Sequence, residues 1–121
     1  MARVIHFEIP VDNPDRASAF YKNVFGWRIE KWAGPMDYWM VYTGDDKVPG
    51  INGGIMKRGD VKTTTNTIGV DSVDNAIAAI TKAGGTLAMP KTPIPAVGYF
   101  AYCLDPEGNL FGVMQPDTSA K

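Results

Sequence analysis

Two stretches of this chain repeat one another at an offset of 59 residues, and that duplication limits the folds open to it. Ile9, Val11, Asp12, Asp15, Ala17, Ala19 and Gly26 recur as Ile68, Val70, Asp71, Asp74, Ala76, Ala78 and Gly85, seven identities within positions 9 to 26. A period of this length marks one supersecondary unit used twice, each copy needing the other to close a core. A chain of 121 residues has room for two such units and little more. A ligand is therefore expected where the two halves face each other.

Local signals give each unit the same order of elements. Arg3 to Ile9 alternates as a strand, with Ile5, Phe7 and Ile9 on one face and Val4, His6 and Glu8 on the other, and Pro10 is expected to end it. Asn13 offers an N-cap oxygen, Pro14 suits the first helical position and Asp15 the positive helix end. Ala17, Phe20, Tyr21 and Val24 then form an apolar stripe that needs a sheet to lie on, and Gly26 is placed as a left-handed C-cap. Strands are predicted at Trp27 to Lys31, Tyr38 to Thr43 and Ile51 to Lys57, with Asp45-Asp46 and Pro49-Gly50 marking a loop.

The polar segment Gly59 to Thr64 reads as a surface linker, after which the order recurs. Thr65 to Val70 is a strand, and Ser72 caps a helix buried through Val73, Ala76, Ile77 and Ile80 that ends at Gly84-Gly85. Thr86 to Met89 is a short strand, Pro90 to Pro95 a rigid turn, and Val97 to Leu104 a long aromatic strand. Asp105-Pro106-Glu107-Gly108 is a turn and Leu110 to Gln115 the last strand; the tail from Pro116 is expected to fray. The fold class is thus α+β, one domain over 1–121 with module one at 1–58 and module two at 63–116.

Composition removes several functions. Twelve basic and thirteen acidic residues lie scattered, without the basic stripe of a nucleic-acid binder. No apolar run approaches the ~20 residues that span a bilayer, and His6 and Glu8 come too early for a signal peptide. The single cysteine, Cys103, allows no internal disulfide and fits a reducing cytoplasm, most simply as a buried thiol. Gly50 to Gly54 does not follow a phosphate-loop pattern.

The chain resembles the vicinal oxygen chelate superfamily, which includes glyoxalase I, bleomycin-resistance proteins and extradiol dioxygenases. The likeness rests on four features: the first strand with His6; Asp15 to Tyr21 running into Phe25-Gly26-Trp27; the paired glycines within Ile51 to Met56; and Asp105-Pro106-Glu107-Gly108-Asn109 before the last strand. It implies two tandem β-α-β-β-β modules whose curved mixed sheets enclose a cleft, and a homodimer. The superfamily's metalloenzymes hold a divalent ion there by one His or Glu from each of four strands. Carried over by the resemblance and the 59-residue offset, those positions are His6, Gly53, Thr65 and Gly112. Glycine has no donor to give, so a family-type metal site is disfavoured and no cofactor is expected.

The candidate residues follow. His6 is the only histidine, and Glu8 shares its strand face; both are read as ligand contacts and as the weak candidates for acid–base catalysis. Gly53 and Gly112 leave room beside Ile55 and Met114, while Thr65 and Thr67 offer hydroxyls to the same site. Trp39 is added as an aromatic wall; alternation alone does not sort it, Tyr99, Phe100 and Tyr102 between core and pocket. The leading expectation is a cytoplasmic protein that binds a small organic ligand without metal. The alternative is a glyoxalase-like lyase, isomerase or dioxygenase using His6 with unusual partners. The third is a non-catalytic interaction domain.

Overall fold

The computed structural model describes residues 2–121. In chain order the elements are β1 (Arg3–Val11), α1 (Pro14–Phe25), β2 (Arg28–Lys31), β3 (Tyr38–Tyr42), β4 (Gly53–Lys57), β5 (Thr65–Gly69), α2 (Val73–Lys82), β6 (Thr86–Ile94), β7 (Gly98–Leu104) and β8 (Leu110–Pro116). The chain is α+β, and β-α-β-β-β occurs twice, as the repeat requires. It divides into two compact units, His6–Thr64 and Thr65–Lys121, the second joined by the residues up to Ile5.

In the first unit the strands lie in the order β2-β3-β4-β1, with β1 and β4 parallel and the other pairs antiparallel. The second unit repeats this as β6-β7-β8-β5, with β5 and β8 parallel. Each sheet buries one face beneath its own helix. In the first, Ile29, Val41 and Ile55 pack with Phe7, Ile9, Val11, Tyr21, Trp27 and Trp39. In the second, Val73, Ala101, Cys103 and Val113 pack with Ala76, Ile77 and Ile80 of α2, the stripe read from the sequence. Cys103 is fully buried, which pushes its thiol above the ordinary value.

The helix ends form as their residues dictate. The Asn13 side chain accepts from Arg16 N–H and the Ser72 hydroxyl from Asn75 N–H. Gly26 takes φ 73°, a left-handed C-cap whose N–H reaches the Lys22 carbonyl.

Four expectations change. Pro10 does not end β1; the strand runs to Val11, and Arg58 supplies the hydrogen bonds, donating to the carbonyls of Pro10 and Val11. Helix α1 is rotated from its predicted stripe: Pro14 and Ser18 are buried, whereas Phe20 and Val24 are 55% and 56% exposed. Strand β6 continues through Pro90 and Pro93 to Ile94, because a strand paired only with β7 tolerates missing donors and register shifts. The tail is docked: Ala96 N–H donates to Ala120 C=O, Asp117 N–H to Val97 C=O, and Ala120 is buried.

Ile55 is fully buried at the centre of the first core. Ile55→Ala should therefore lower unfolding free energy by about 2–5 kcal/mol, read as a fall in urea midpoint with little change in slope.

Candidate functional site

Strand register sorts the candidates between faces. In the first unit Glu8 lies opposite Gly54, Phe7 opposite Gly53 and Ile9 opposite Ile55. Met40 lies opposite Gly54, and Trp39 opposite Ile55. Alternation then puts His6, Glu8, Tyr38, Met40, Gly54 and Met56 on the open face, away from α1. Gly53, Ile55 and Trp39 point the other way, into the core beneath the helix. The structure therefore does not bring these three together with His6 and Glu8, contrary to the expectation from sequence. One residue of register separates the two readings, and one residue reverses every side chain.

The corrected register reveals a contact that no sequence motif announced. The ring of Tyr38 on β3 lies across Gly54 on β4, so that a Cβ at position 54 would overlap the phenol. From there its Oη reaches Nε2 of His6 at 2.5 Å. The planes of the two rings are nearly parallel, with centroids 6.2 Å apart, and Trp32 meets Tyr38 edge-on. Burial disfavours the imidazolium and lowers the His6 pKa from its ordinary value of 6.5. His6 is thus a neutral ring at pH 7, able to exchange a hydrogen bond with the phenol. Glu8, two residues on, is 8% exposed.

In the second unit Thr67 lies opposite Gly112, and Phe100 opposite Met114. Thr65, Thr67, Phe100, Tyr102, Gly112 and Met114 share the open face, so the structure does bring together the four candidates predicted here. The pattern of the first unit recurs. The Phe100 ring lies over Gly112, where a Cβ would overlap its Cζ, and Tyr102 meets Phe100 edge-on with centroids 4.7 Å apart. Tyr38 and Phe100 are therefore equivalent, as are Gly54 and Gly112, and Met56 and Met114.

The signal was present in the sequence as Gly54-Ile55-Met56 and Gly112-Val113-Met114, offset by 58 rather than 59. One residue fewer lies between Gly85 and Gly112 than between Gly26 and Gly54, so carrying the helix offset forward matched Gly53 to Gly112 in error.

The metal-ligand positions implied by the resemblance become His6, Gly54, Thr65 and Gly112. One imidazole, one hydroxyl and two glycines do not fit a divalent ion, which takes several strong N, O or S donors. Among the described residues no group of three His, Cys, Asp or Glu could hold a metal. Two depressions elsewhere are open to solvent. One, of about 570 Å³, lies beside Arg28, Tyr42 and Asp45; the other, of about 650 Å³, lies beside Arg16, Phe20 and Lys62. Neither touches His6, Tyr38, Thr65 or Thr67, and neither contains a buried polar group, so the sheet faces are the stronger candidates.

Comparison with known proteins agrees with this architecture. Residues 3–44 match the family described as bleomycin resistance protein-like N-terminal. The proteins named "Putative glyoxylase CFP32" from Mycobacterium bovis and Mycobacterium tuberculosis are 33% identical over 111 residues, 90% of this chain. The match spans 42% of those relatives, less than half their length. A glyoxalase/bleomycin resistance protein/dioxygenase superfamily member from Vibrio splendidus superposes with TM-score 0.69 at 11% identity, over 97% of this chain and 100% of the other. The methylmalonyl-CoA epimerase of Streptomyces coelicolor, solved with 2-nitronate-propionyl-CoA, gives TM-score 0.72 at 14% identity, over 98% and 97%.

The fold is that of the glyoxalase and bleomycin-resistance proteins. In sequence the chain is similar to these relatives, and in fold to members of the vicinal oxygen chelate superfamily.

Two outcomes follow for the first open face. Gly54→Ala should displace the Tyr38 ring, destabilise the protein by about 1–3 kcal/mol and alter the His6 ring resonances in NMR spectra. His6 also makes stability depend on pH. Its native pKa is lowered, so below the unfolded value of 6.5 the unfolded chain binds the proton first. This contribution is complete above 6.5 and shrinks as pH falls from there to the native pKa. Comparing urea midpoints at about pH 7.5 and about pH 5 should show a smaller drop for His6→Asn than for the natural chain.

Proposed function

We propose that this chain is a small-molecule-binding member of the superfamily that works without the metal site, holding a partly apolar organic ligand against its open sheet faces. The observation that carries this reading is Tyr38 laid over Gly54 and bonded to His6. The phenol fills the space into which a metal-binding side chain on β4 would project, and it engages the one imidazole available. Met40, Met56 and Trp32 add thioether and aromatic surface beside Glu8, and the Arg28–Glu30 ion pair stands at the β2 edge of the face, a mixture usual in sites for organic molecules. Methylmalonyl-CoA epimerases of the same fold are solved with CoA esters, which supports a small-molecule role in general but fixes no ligand for this chain.

A second reading has its own support. A neutral His6 bonded to a phenol, with the buried Glu8 carboxyl on the same face, is a set of groups able to move protons. On that reading the chain is a lyase or isomerase of the glyoxalase type working by acid–base chemistry.

For its assembly we propose a homodimer in the cytoplasm. Phe20, Val24 and Phe25 stand 55–58% exposed on α1, an apolar surface suited to a second copy. The one cysteine is a reduced, buried thiol. Among the described residues no helix is long and apolar enough to cross a membrane.

Two measurements test the function. Elemental analysis of protein purified without chelator should find divalent metal well below one equivalent. Tightly held stoichiometric metal that is lost in His6→Ala overturns the reading. Thermal-shift screening with small aromatic compounds and thiol conjugates should find stabilising ligands, since ligand at 100 times its Kd adds about 2.7 kcal/mol. A library without any stabilising member would favour the non-catalytic interaction domain instead.

A further inference from the structure

The two units lay a ring over a glycine in the same way, but they differ in what the ring does for the neighbouring strand. In the first, the ring is Tyr38, and its hydroxyl satisfies His6 on β1. In the second, the ring is Phe100, which has no hydroxyl, and β5 presents Thr65 and Thr67 instead. These threonines are 3% and 2% exposed, and among the described residues neither Oγ1 has a hydrogen-bond partner. A buried hydroxyl without a partner has given up its hydration with no hydrogen bond in exchange. Two of them, on one strand face and two residues apart, form a place where an incoming polar atom is favoured. Thr67 Oγ1 lies 3.2 Å from where a Cβ on Gly112 would stand, and the tip of the Phe100 ring fills that space, so a ligand reaches the hydroxyl by turning the ring aside.

The rest of this face narrows the chemistry. The open-face positions of β5, β7 and β8 are Thr65, Thr67, Gly69, Gly98, Phe100, Tyr102, Leu104, Leu110, Gly112, Met114 and Pro116, none of them Asp, Glu, Lys or Arg. A carboxylate or phosphate would lose its hydration here without gaining a cation. A neutral group can gain one or two hydroxyl hydrogen bonds and an aromatic wall.

We propose that Thr65 and Thr67 form a recognition site for an uncharged aromatic compound bearing a carbonyl, with both hydroxyls donating to the carbonyl oxygen and the compound's ring packed against Phe100, Tyr102 and Met114. This deepens the small-molecule reading and rests on it. It separates this chain's ligand from the anionic CoA esters of its structural neighbours.

The test uses three probes that share one ring system: 2-acetylnaphthalene, 2-naphthoate and naphthalene. Titration of the natural chain should show the ketone binding more tightly than the other two. Thr67→Val and Thr65→Val should each weaken the ketone about five- to tenfold, one net hydrogen bond, and leave naphthalene unchanged. Their melting temperatures should not fall, because valine removes only an unpartnered hydroxyl. Phe100→Tyr offers an independent route. Its added phenol should reach the threonines as Tyr38 reaches His6, raising the melting temperature and weakening the ketone. The proposal is overturned if 2-naphthoate binds more tightly than the ketone, if the ketone does not bind, or if both valine variants and Phe100→Tyr leave its affinity unchanged. Any of these outcomes, alongside hits from the broader thermal-shift library, removes the threonine site while leaving small-molecule binding intact. A library without hits removes both.

Discussion

The parallel register of β1 against β4 is the constraint on which the rest of the first unit depends. With Glu8 opposite Gly54, the odd-numbered residues of both strands go to the core under α1, and the even-numbered ones face outward. Ile9 and Ile55 then meet as a buried pair, and Gly54 comes to lie under the reach of Tyr38. Shifted by one residue, Ile55 would turn away from the helix and Gly54 would be spent in the core. The hydrophobic cluster of Ile29, Val41 and Ile55 fixes the register, and the register builds the site. A residue that contacts no ligand can thus decide which residues do.

Satisfying polar groups distinguishes the two copies once their geometry is equal. Both lay an aromatic ring from the third strand of the unit across a glycine on the fourth, and both follow that glycine with an aliphatic residue and a methionine. The first copy closes its polar balance internally through Tyr38 and His6. The second keeps two hydroxyls under an apolar ring, a condition that folded proteins avoid unless another group completes it. One oxygen atom, present on Tyr38 and missing from Phe100, is the difference. Duplication supplies two equivalent positions, and their separate chemistry lets one hold structure while the other remains available.

Much of the fold was legible because its signals are local. Asn13, Ser72 and Gly26 act at the helix ends by their own side chains or the lack of one, and Val73, Ala76, Ile77 and Ile80 face the core at helical spacing. What was not legible depends on partners distant in sequence. Whether Pro10 ends a strand depends on Arg58 taking up the carbonyls around it. Whether Pro90 and Pro93 break β6 depends on which of its edges is paired. The rotation of α1 depends on the shape of the sheet beneath it, and Phe20 gives no local sign that it will be left outside. For the site, His6, Glu8, Thr65, Thr67, Gly112 and Met114 were placed on the correct faces by alternation. Gly53 and Ile55 were misplaced because a repeat offset measured on β1 and α1 was assumed to hold on β4, and Trp39 was added as a wall although both faces of its strand are apolar. Tyr38 was missed altogether, since no period links it to His6.

The superfamily's fold places one residue from each of four strands where a metal can be gripped, so its chemistry depends on few positions. In this chain two of the four are glycine, and the vacated space on each sheet is filled by an aromatic ring rather than left empty. That filling matters for the energetics. A large-to-small change in a packed face normally leaves a cavity and its penalty, about 24 cal/mol per Å³ in the best-studied case. A ring swung in from the adjacent strand removes that penalty and introduces a flat, polarisable surface suited to stacking. Removal of ligating side chains and creation of an aromatic floor are therefore one structural event. The glycines supply no ligating atom and admit the rings, and the rings set the character of each face.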